Sequence, residues 1–384
     1  MPDTAGQVGR AVLVRVEVGR ALRASIGANL VVLLLLAGYV LSQAYPSTEA
    51  VRLRNALLIE PGTPDDFSWT PKRMPASFMA ERHVPLPEFI SAVRAAGVDF
   101  TAGDWEKALL LAGILSRNAQ DKGSIQSDLL TTYRGIVEEG RGYCADFVEV
   151  YLGLAGAAGL VAREWAFSFD GFGGDGHAFI EVFDRLRDKW VFLDVYNNVH
   201  AVDAASGEPL SALEFRDFAL GRRPATIIHP NGPGRLGYSI EGKLIEYYRR
   251  GAGEWYLWWG NSVFTYDAHP AVRTVGRVSR ALEQLVAIAV GVHPRIKALT
   301  TTENIPQLER MKRLRWSLLT SAVLLMAFFI VLLGQIFLLV RRSRRRMKAR
   351  PLPSWSDSRP AAATTVRPAY SPGTCRSTSP ASRT

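Results

Sequence analysis

Residues 316–340 run for 25 positions without a single charge, from Trp316 through Leu324, Phe328 and Phe329 to Val340. As a helix rising about 1.5 Å per residue, this run crosses a hydrocarbon core of about 30 Å with some tilt. Helices of soluble cores rarely go that far uncharged, so the run predicts a transmembrane helix. A second apolar run, 26–44, predicts another. Ser42-Gln43-Ala44 fits a small-x-small cleavage site, but the 25 residues ahead of the run are long for a signal peptide and favour an uncleaved anchor. These runs limit everything else, because the domain that folds must be built from residues 46–315.

Charge is distributed to match. The formal net charge is +10 over 384 residues, yet residues 341–384 carry eleven Arg or Lys against Asp357 alone. The middle of the chain is close to neutral, so the basic balance is a property of the termini and not a nucleic-acid signal. Arg341, Arg342, Arg344, Arg345 and Arg346 follow the second run, and Arg10, Arg15, Arg20 and Arg23 precede the first. By the positive-inside rule both ends face the cytoplasm and 46–315 faces outward. Lys312, Arg313 and Arg315 run against this rule but are fewer. The expected location is a multi-pass protein of the cell inner membrane with its domain on the periplasmic or exterior side. Residues 341–384, rich in Pro, Ser, Ala, Arg and Thr, read as a disordered cytoplasmic tail.

Within 46–315 the period of hydrophobicity changes. Residues 46–100 hold many prolines and read as a loop-rich lead-in. Helical spacing marks 88–97, 104–118 (with Asp104 as N-cap), 124–137 and 143–158, with Gly140 and Gly142 as the break before the last. From there the period is two, over 163–169, 177–183 and 189–195, which predicts strands. Helices followed by sequential strands argue for an α+β domain with an antiparallel sheet, placed at 101–225. Residues 226–315 read as an aromatic-rich, then amphipathic helical extension leading toward the membrane. The aromatic run 247–266 reads as core or membrane-facing, or else as a platform for a sugar or peptide.

Chemistry concentrates at Cys144. Only one other cysteine exists, Cys375 in the tail, so no disulfide framework is available. Cys144 starts a helix, whose positive dipole end favours a thiolate. His177 and Asp194 follow on successive strands. If Phe183 and Asp188 are the last pair around a four-residue loop, antiparallel register places Phe179 opposite Phe192 and His177 opposite Asp194. Nucleophile, base and orienter would then lie together. The Cys144 N–H is a natural oxyanion donor, with Asn118, Gln120 and Gln126 as weak side-chain candidates. The loop 171–176 before His177 reads as flexible. Asp170 and Asp175 beside it are too few oxygen ligands for calcium, and the other histidines lack metal-like spacing. No metal and no cofactor is expected.

The segments Gly142-x-Cys144-x-Asp146-Phe147, Ala157-Ala158-Gly159-Leu160-Val161-Ala162-Arg163, Gly176-His177-Ala178-Phe179-Ile180-Glu181-Val182 and Trp190-x-x-x-Asp194 occur in that order. Over about residues 125–200 the chain resembles the transglutaminase-like superfamily of papain-type thiol enzymes. The resemblance implies a catalytic triad of Cys144, His177 and Asp194, on a Cys-bearing helix packed against an antiparallel sheet. Family members share thioester chemistry but differ in outcome: some cross-link Gln to Lys, some cleave peptides, some deglycosylate, and some have lost the cysteine. The resemblance implies a thiol enzyme acting on amide bonds of a protein or peptide substrate in the cell envelope. The alternative is a non-catalytic module that binds a polysaccharide or secretion partner. In the pattern, Asp146 and Arg163 read as structural caps or ion pairs.

Overall fold

The computed structural model describes residues 4–348, apart from 46, 82–83, 102, 121–122, 126 and 233–239. In chain order come α1 (Thr4–Ser42), α2 (Ser47–Leu58), β1 (Ile59–Gly62), α3 (Pro87–Ala95), α4 (Asp104–Ser116), α5 (Leu129–Val137), α6 (Cys144–Ala157), β2 (Ala162–Ser168), β3 (Gly176–Asp184), β4 (Lys189–Leu193), β5 (His200–Asp203), α7 (Ala212–Ala219), β6 (Ala225–Ile228), α8 (Glu241–Gly251), β7 (Trp255–Trp258), α9 (Val263–Ala268), α10 (Pro270–Gly276), α11 (Arg280–Ala289), β8 (Ile296–Leu299) and α12 (Ile305–Lys348).

Two of these helices, over Gly19–Ser42 and Ile305–Arg345, are long and apolar enough to cross a membrane. Their leucines and phenylalanines, Leu34, Leu35, Phe329 and Phe337 among them, face outward without protein cover, which suits lipid and not water. Asn29 donates to the Phe328 carbonyl at 3.1 Å and Tyr39 bonds Ser317 at 3.0 Å, so the two helices touch. Arg315, a charge on the unfavoured side, has a structural use. It donates to the carbonyls of Ala56 (2.7 Å) and Ile59 at the C-terminal end of α2, where backbone acceptors lack partners. Helix α12 continues through the arginines to Lys348, so order extends past 341, where disorder was expected; Arg and Lys are good helix formers. The remainder of that tail, 349–384, lies outside the described residues.

The domain is α+β, but its sheet is mixed. Strand order is β1-β8-β7-β2-β3-β4, with β1 and β8 parallel and the other neighbours antiparallel. β5 and β6 form a separate antiparallel pair. The wholly antiparallel sheet expected at 101–225 is therefore corrected twice. β1 comes from the lead-in that read as loop, and β7 and β8 come from the supposed extension. Four-residue strands such as these carry too little alternation to stand out in sequence. The lead-in also contains α2, and Asp104 is the first residue of α4 and not its cap, its carboxylate instead accepting from the backbone N–H and guanidinium of Arg185.

β2 and β3 are buried on both faces. Helices α3 to α6 cover Ala162, Ala166, Ile180 and Val182 on one side. On the other, Trp165, Phe167 and Phe179 join Trp190, Phe192, Phe215, Tyr248 and Trp255 in an aromatic layer. The aromatic run is thus mostly core: Tyr248, Trp255 and Leu257 are fully buried, and no exposed platform is formed by its strand. Phe192 stacks on Phe215 with centroids 3.9 Å apart.

A buried ion pair sits in this layer. Arg163 meets Glu181 across the β2–β3 register at 2.7 Å. Glu181 also accepts from Trp165 Nε1 (2.6 Å) and Ala212 N (2.6 Å). Arg163 lies over the Trp190 ring at 4.0 Å and donates to the Phe67 carbonyl at 2.8 Å. Removing one member strands the other charge in an apolar layer. Arg163→Ala should lower stability by about 3–5 kcal/mol, whereas a paired Arg163→Met, Glu181→Leu change should recover much of the loss. Denaturant unfolding of the detergent-solubilised chain would read both.

Candidate active site

The chain reaches Cys144 through two glycines that only glycine can serve well. Gly140 (φ 70°) passes so close to the Asn118 carbonyl that a Cβ would stand 2.2 Å from it, and Gly142 adopts φ 115°. Cys144 is then the first residue of α6. Asp146 fixes the start of the helix, accepting from the N–H of Tyr143 (2.7 Å) and of Ile125 (3.2 Å). Its expected structural role is what the contacts give it. The Cys144 thiol is free and half-buried.

The β3–β4 register differs from the expected one by two residues. Glu181 pairs with Phe192 and Phe183 with Trp190, around a loop of Arg185 to Asp188. Asp188 enters that loop because it takes φ 47°, and Asp184 pairs with Lys189 while its carboxylate accepts from Leu186 N at 2.9 Å. A shift of two keeps every side chain on its face. His177 and Asp194 thus remain on one face, as diagonal and not direct neighbours. The ladder ends at Leu193.

They nonetheless meet, with Nε2 of His177 2.5 Å from Oδ2 of Asp194, both buried. Nδ1 is the ring nitrogen that Asp194 does not engage, and Cys144 lies near enough for its charge to act on the imidazole. Asp194 is held from every direction. Oδ1 accepts from the N–H groups of Tyr196 (3.0 Å) and Asn197 (2.9 Å), closing the tight turn that an aspartate at a strand end often makes. Oδ2 accepts from the Asn197 amide (3.0 Å) and from the Tyr248 hydroxyl as well as facing His177. One Asp194 oxygen thus closes the turn and the other faces the imidazole, so the turn geometry and the contact with His177 coexist. Tyr247 packs edge-on against the His177 ring at 5.5 Å.

The loop before His177 is anchored where flexibility was expected. Glu254 accepts from Gly171 N (2.8 Å) and Phe172 N (3.0 Å), Asn55 of α2 donates to the Phe172 carbonyl (2.9 Å), and Gly174 N donates to Thr48 (3.1 Å). Phe172 is fully buried. Asp170 accepts from Ser168 Oγ (2.6 Å) and Gly173 N (2.9 Å) within the loop itself. Of the oxyanion candidates, Asn118 spends its amide on the carbonyls of Val137 (3.3 Å) and Glu138 (2.9 Å), Gln120 faces Asn118 at 3.5 Å, and Gln126 lies outside the described residues.

Several site residues escaped sequence reasoning. Tyr248 lay inside an aromatic run with nothing to single it out. Asn197 had a weak signal, the Asp-x-x-Asn spacing of a side-chain-capped turn. A second polar set adjoins α6: Arg54 of α2, Glu149 of α6, Glu164 of β2 and Tyr256 of β7. Arg54 lies over the Trp258 ring at 5.2 Å. Burial, then the charge of Glu149, pushes the Glu164 carboxyl well up, and both Glu164 and Tyr256 feel Cys144. Glu149 is exposed, so burial acts on it weakly, while the nearby Asp146 and Asp267 push its carboxyl up.

Burial alone would lower His177, but Asp194 and then Cys144 outweigh it and raise the imidazole from 6.5 to about 10. Asp194 is lowered: burial would raise it, and His177 with the Asn197 and Tyr248 bonds overcomes that. A histidine raised on folding contributes stability that is complete below 6.5 and lost as pH climbs through about 10. The parent should therefore exceed His177→Gln in melting temperature most at mildly acidic pH, with the gap closing on the alkaline side. A gap that stays constant across the series would contradict the imidazolium assignment.

No family model, curated protein or solved structure matches this chain. What the site does is therefore read from its own chemistry.

Proposed function

We propose that the chain is a membrane-anchored, thiol-dependent acyl-transfer enzyme of the transglutaminase-like type, acting on amide bonds outside the cytoplasm. One observation carries this reading: a cysteine at a helix start adjoins a buried histidine whose second nitrogen is committed to a fully satisfied aspartate. In the proposed cycle the Cys144 proton rests on His177 at Nδ1 as a thiolate–imidazolium pair, and the sulfur attacks the amide carbonyl. The tetrahedral oxyanion faces the Cys144 N–H at the helix start. His177 then gives its proton to the departing amine, leaving a thioester on Cys144. Water, or a second amine, attacks that thioester while His177 accepts its proton, and the acyl group leaves as acid or new amide. Asp194 keeps the imidazole oriented and balances its positive charge.

The charge pattern supports a multi-pass protein of the inner membrane with this site on the periplasmic or exterior side. Protein or peptide in the cell envelope is the substrate class such a location offers. Burial of most of the aromatic run removes the platform that motivated a polysaccharide-binding role.

The test uses the full chain with Cys375→Ser, so that iodoacetamide reports on Cys144 alone. At about pH 6, labelling should be rapid in this background and at least about ten-fold slower after His177→Ala. Cys144→Ala should remove amide cleavage by a factor of about a thousand or more without changing the melt. Equal labelling rates with and without His177 would sink the proposal.

A further inference from the structure

Helices α10 and α11 form a hairpin whose outward side is apolar. Val278, Leu282, Leu285 and Val290 are between 42% and 83% exposed. Leu282, Leu285 and Ala289 fall on one helical face, and Val278 precedes them by one further turn. On the opposite face Glu283 and Ala287 are buried, and Arg280 is bonded to Glu283 at 2.8 Å. The amphipathic pattern is therefore satisfied inside and leaves an apolar stripe outside. Exposed apolar patches of this kind mark contact surfaces.

The surroundings say what covers it. α11 packs on α2. α2 begins five residues after α1 ends at Ser42, and its far end is held by Arg315, next to Trp316 where the uncharged run starts. Both membrane helices thus converge on the helix that supports the hairpin. The exposed charge on the hairpin has one sign. Arg273 and Arg277 are exposed and make no ion pair among the described residues, and the only acid between 270 and 290 is the buried Glu283. Leucines flanked by unpaired arginines suit an interface of acyl chains below anionic headgroups.

We propose that the α10–α11 hairpin lies on the membrane surface, with Val278, Leu282 and Leu285 at the acyl boundary and Arg273 and Arg277 on anionic headgroups. The proposal rests on the membrane reading of α1 and α12 and is independent of the thiol chemistry. Because the chain is already tethered, the local lipid concentration is high and a small patch suffices. Such contact gives the domain a third support beside its two helices and fixes its tilt over the bilayer.

The full chain with Cys144→Ser, Cys375→Ser and Leu285→Cys, carrying an environment-sensitive dye at residue 285, tests this in vesicles of phosphatidylcholine with and without phosphatidylglycerol. Expected are emission shifted to the blue, quenching by lipids brominated on their acyl chains, and stronger quenching with phosphatidylglycerol. Adding Arg273→Glu and Arg277→Glu should cut that quenching by about three-fold. Emission typical of water, quenched by aqueous iodide in both vesicle types, would overturn the proposal. So would protection from iodide without quenching by brominated lipid, since a second copy or another protein would then cover the stripe. Flotation of the chain with the vesicles separates the cases: a chain that does not float refutes the membrane helices themselves, and one that floats without quenching refutes the hairpin contact alone.

Discussion

A buried carboxylate tolerates no unused oxygen, and in this molecule Asp194 organises its surroundings by that requirement. One oxygen closes the turn at the end of β4 and the other gathers His177, Asn197 and Tyr248. The turn delivers Asn197, α8 delivers Tyr248, and β3 delivers His177, so three separate parts of the chain are pinned at one atom. Satisfying the charge this completely favours the ionised carboxylate in a buried site, and that negative charge raises the imidazole in turn. Burial of the aspartate and the raised imidazole are thus the same arrangement seen from two ends.

The sheet carries the site between unlike layers. On the side of α6 the packing mixes aliphatic side chains such as Ile180, Val182, Val148 and Leu154 with rings such as Phe147 and Tyr151. On the side of α7 and α8 it is aromatic, with the Arg163–Glu181 pair set among tryptophans. Rings and a buried ion pair have few alternative packings, and that stiffness extends to Phe167, whose ring stands 5.5 Å from His177. The groups by α6 that feel the Cys144 charge, Glu164 and Tyr256, lie on its side of the sheet, whereas His177 takes its charge partner Asp194 from the end of β4.

Much of this was legible in the sequence, and the failures have physical causes. The proximity of His177 and Asp194 could be anticipated because a strand pair with fixed period leaves few arrangements, and Cys144 could be placed at a helix start because two glycines break the chain before it. The pairing was off by two residues, since Asp188 adopts a left-handed conformation that spacing does not reveal; parity protected the conclusion. β1, β7 and β8 were missed because four residues hold barely two alternations, and because β1 and β8 join through a parallel pairing that local pattern cannot encode. The loop before His177 was misjudged because glycine content reports what a segment can do, whereas Glu254, Asn55 and Thr48 decide what it does. Tyr248 was invisible for a simpler reason: its partner lies 54 residues away.

Helix α12 is continuous from Ile305 to Lys348, with Met311 in the domain core and Arg315 bonded to the end of α2. There is no hinge where the domain stops and the uncharged run begins. Were this helix to tilt in a bilayer, its first turns, which begin at Ile305 after β8 ends at Leu299, would tilt with it. A cut at residue 315 would therefore remove turns that belong to the folded core together with the run that follows them, and not a separate tail.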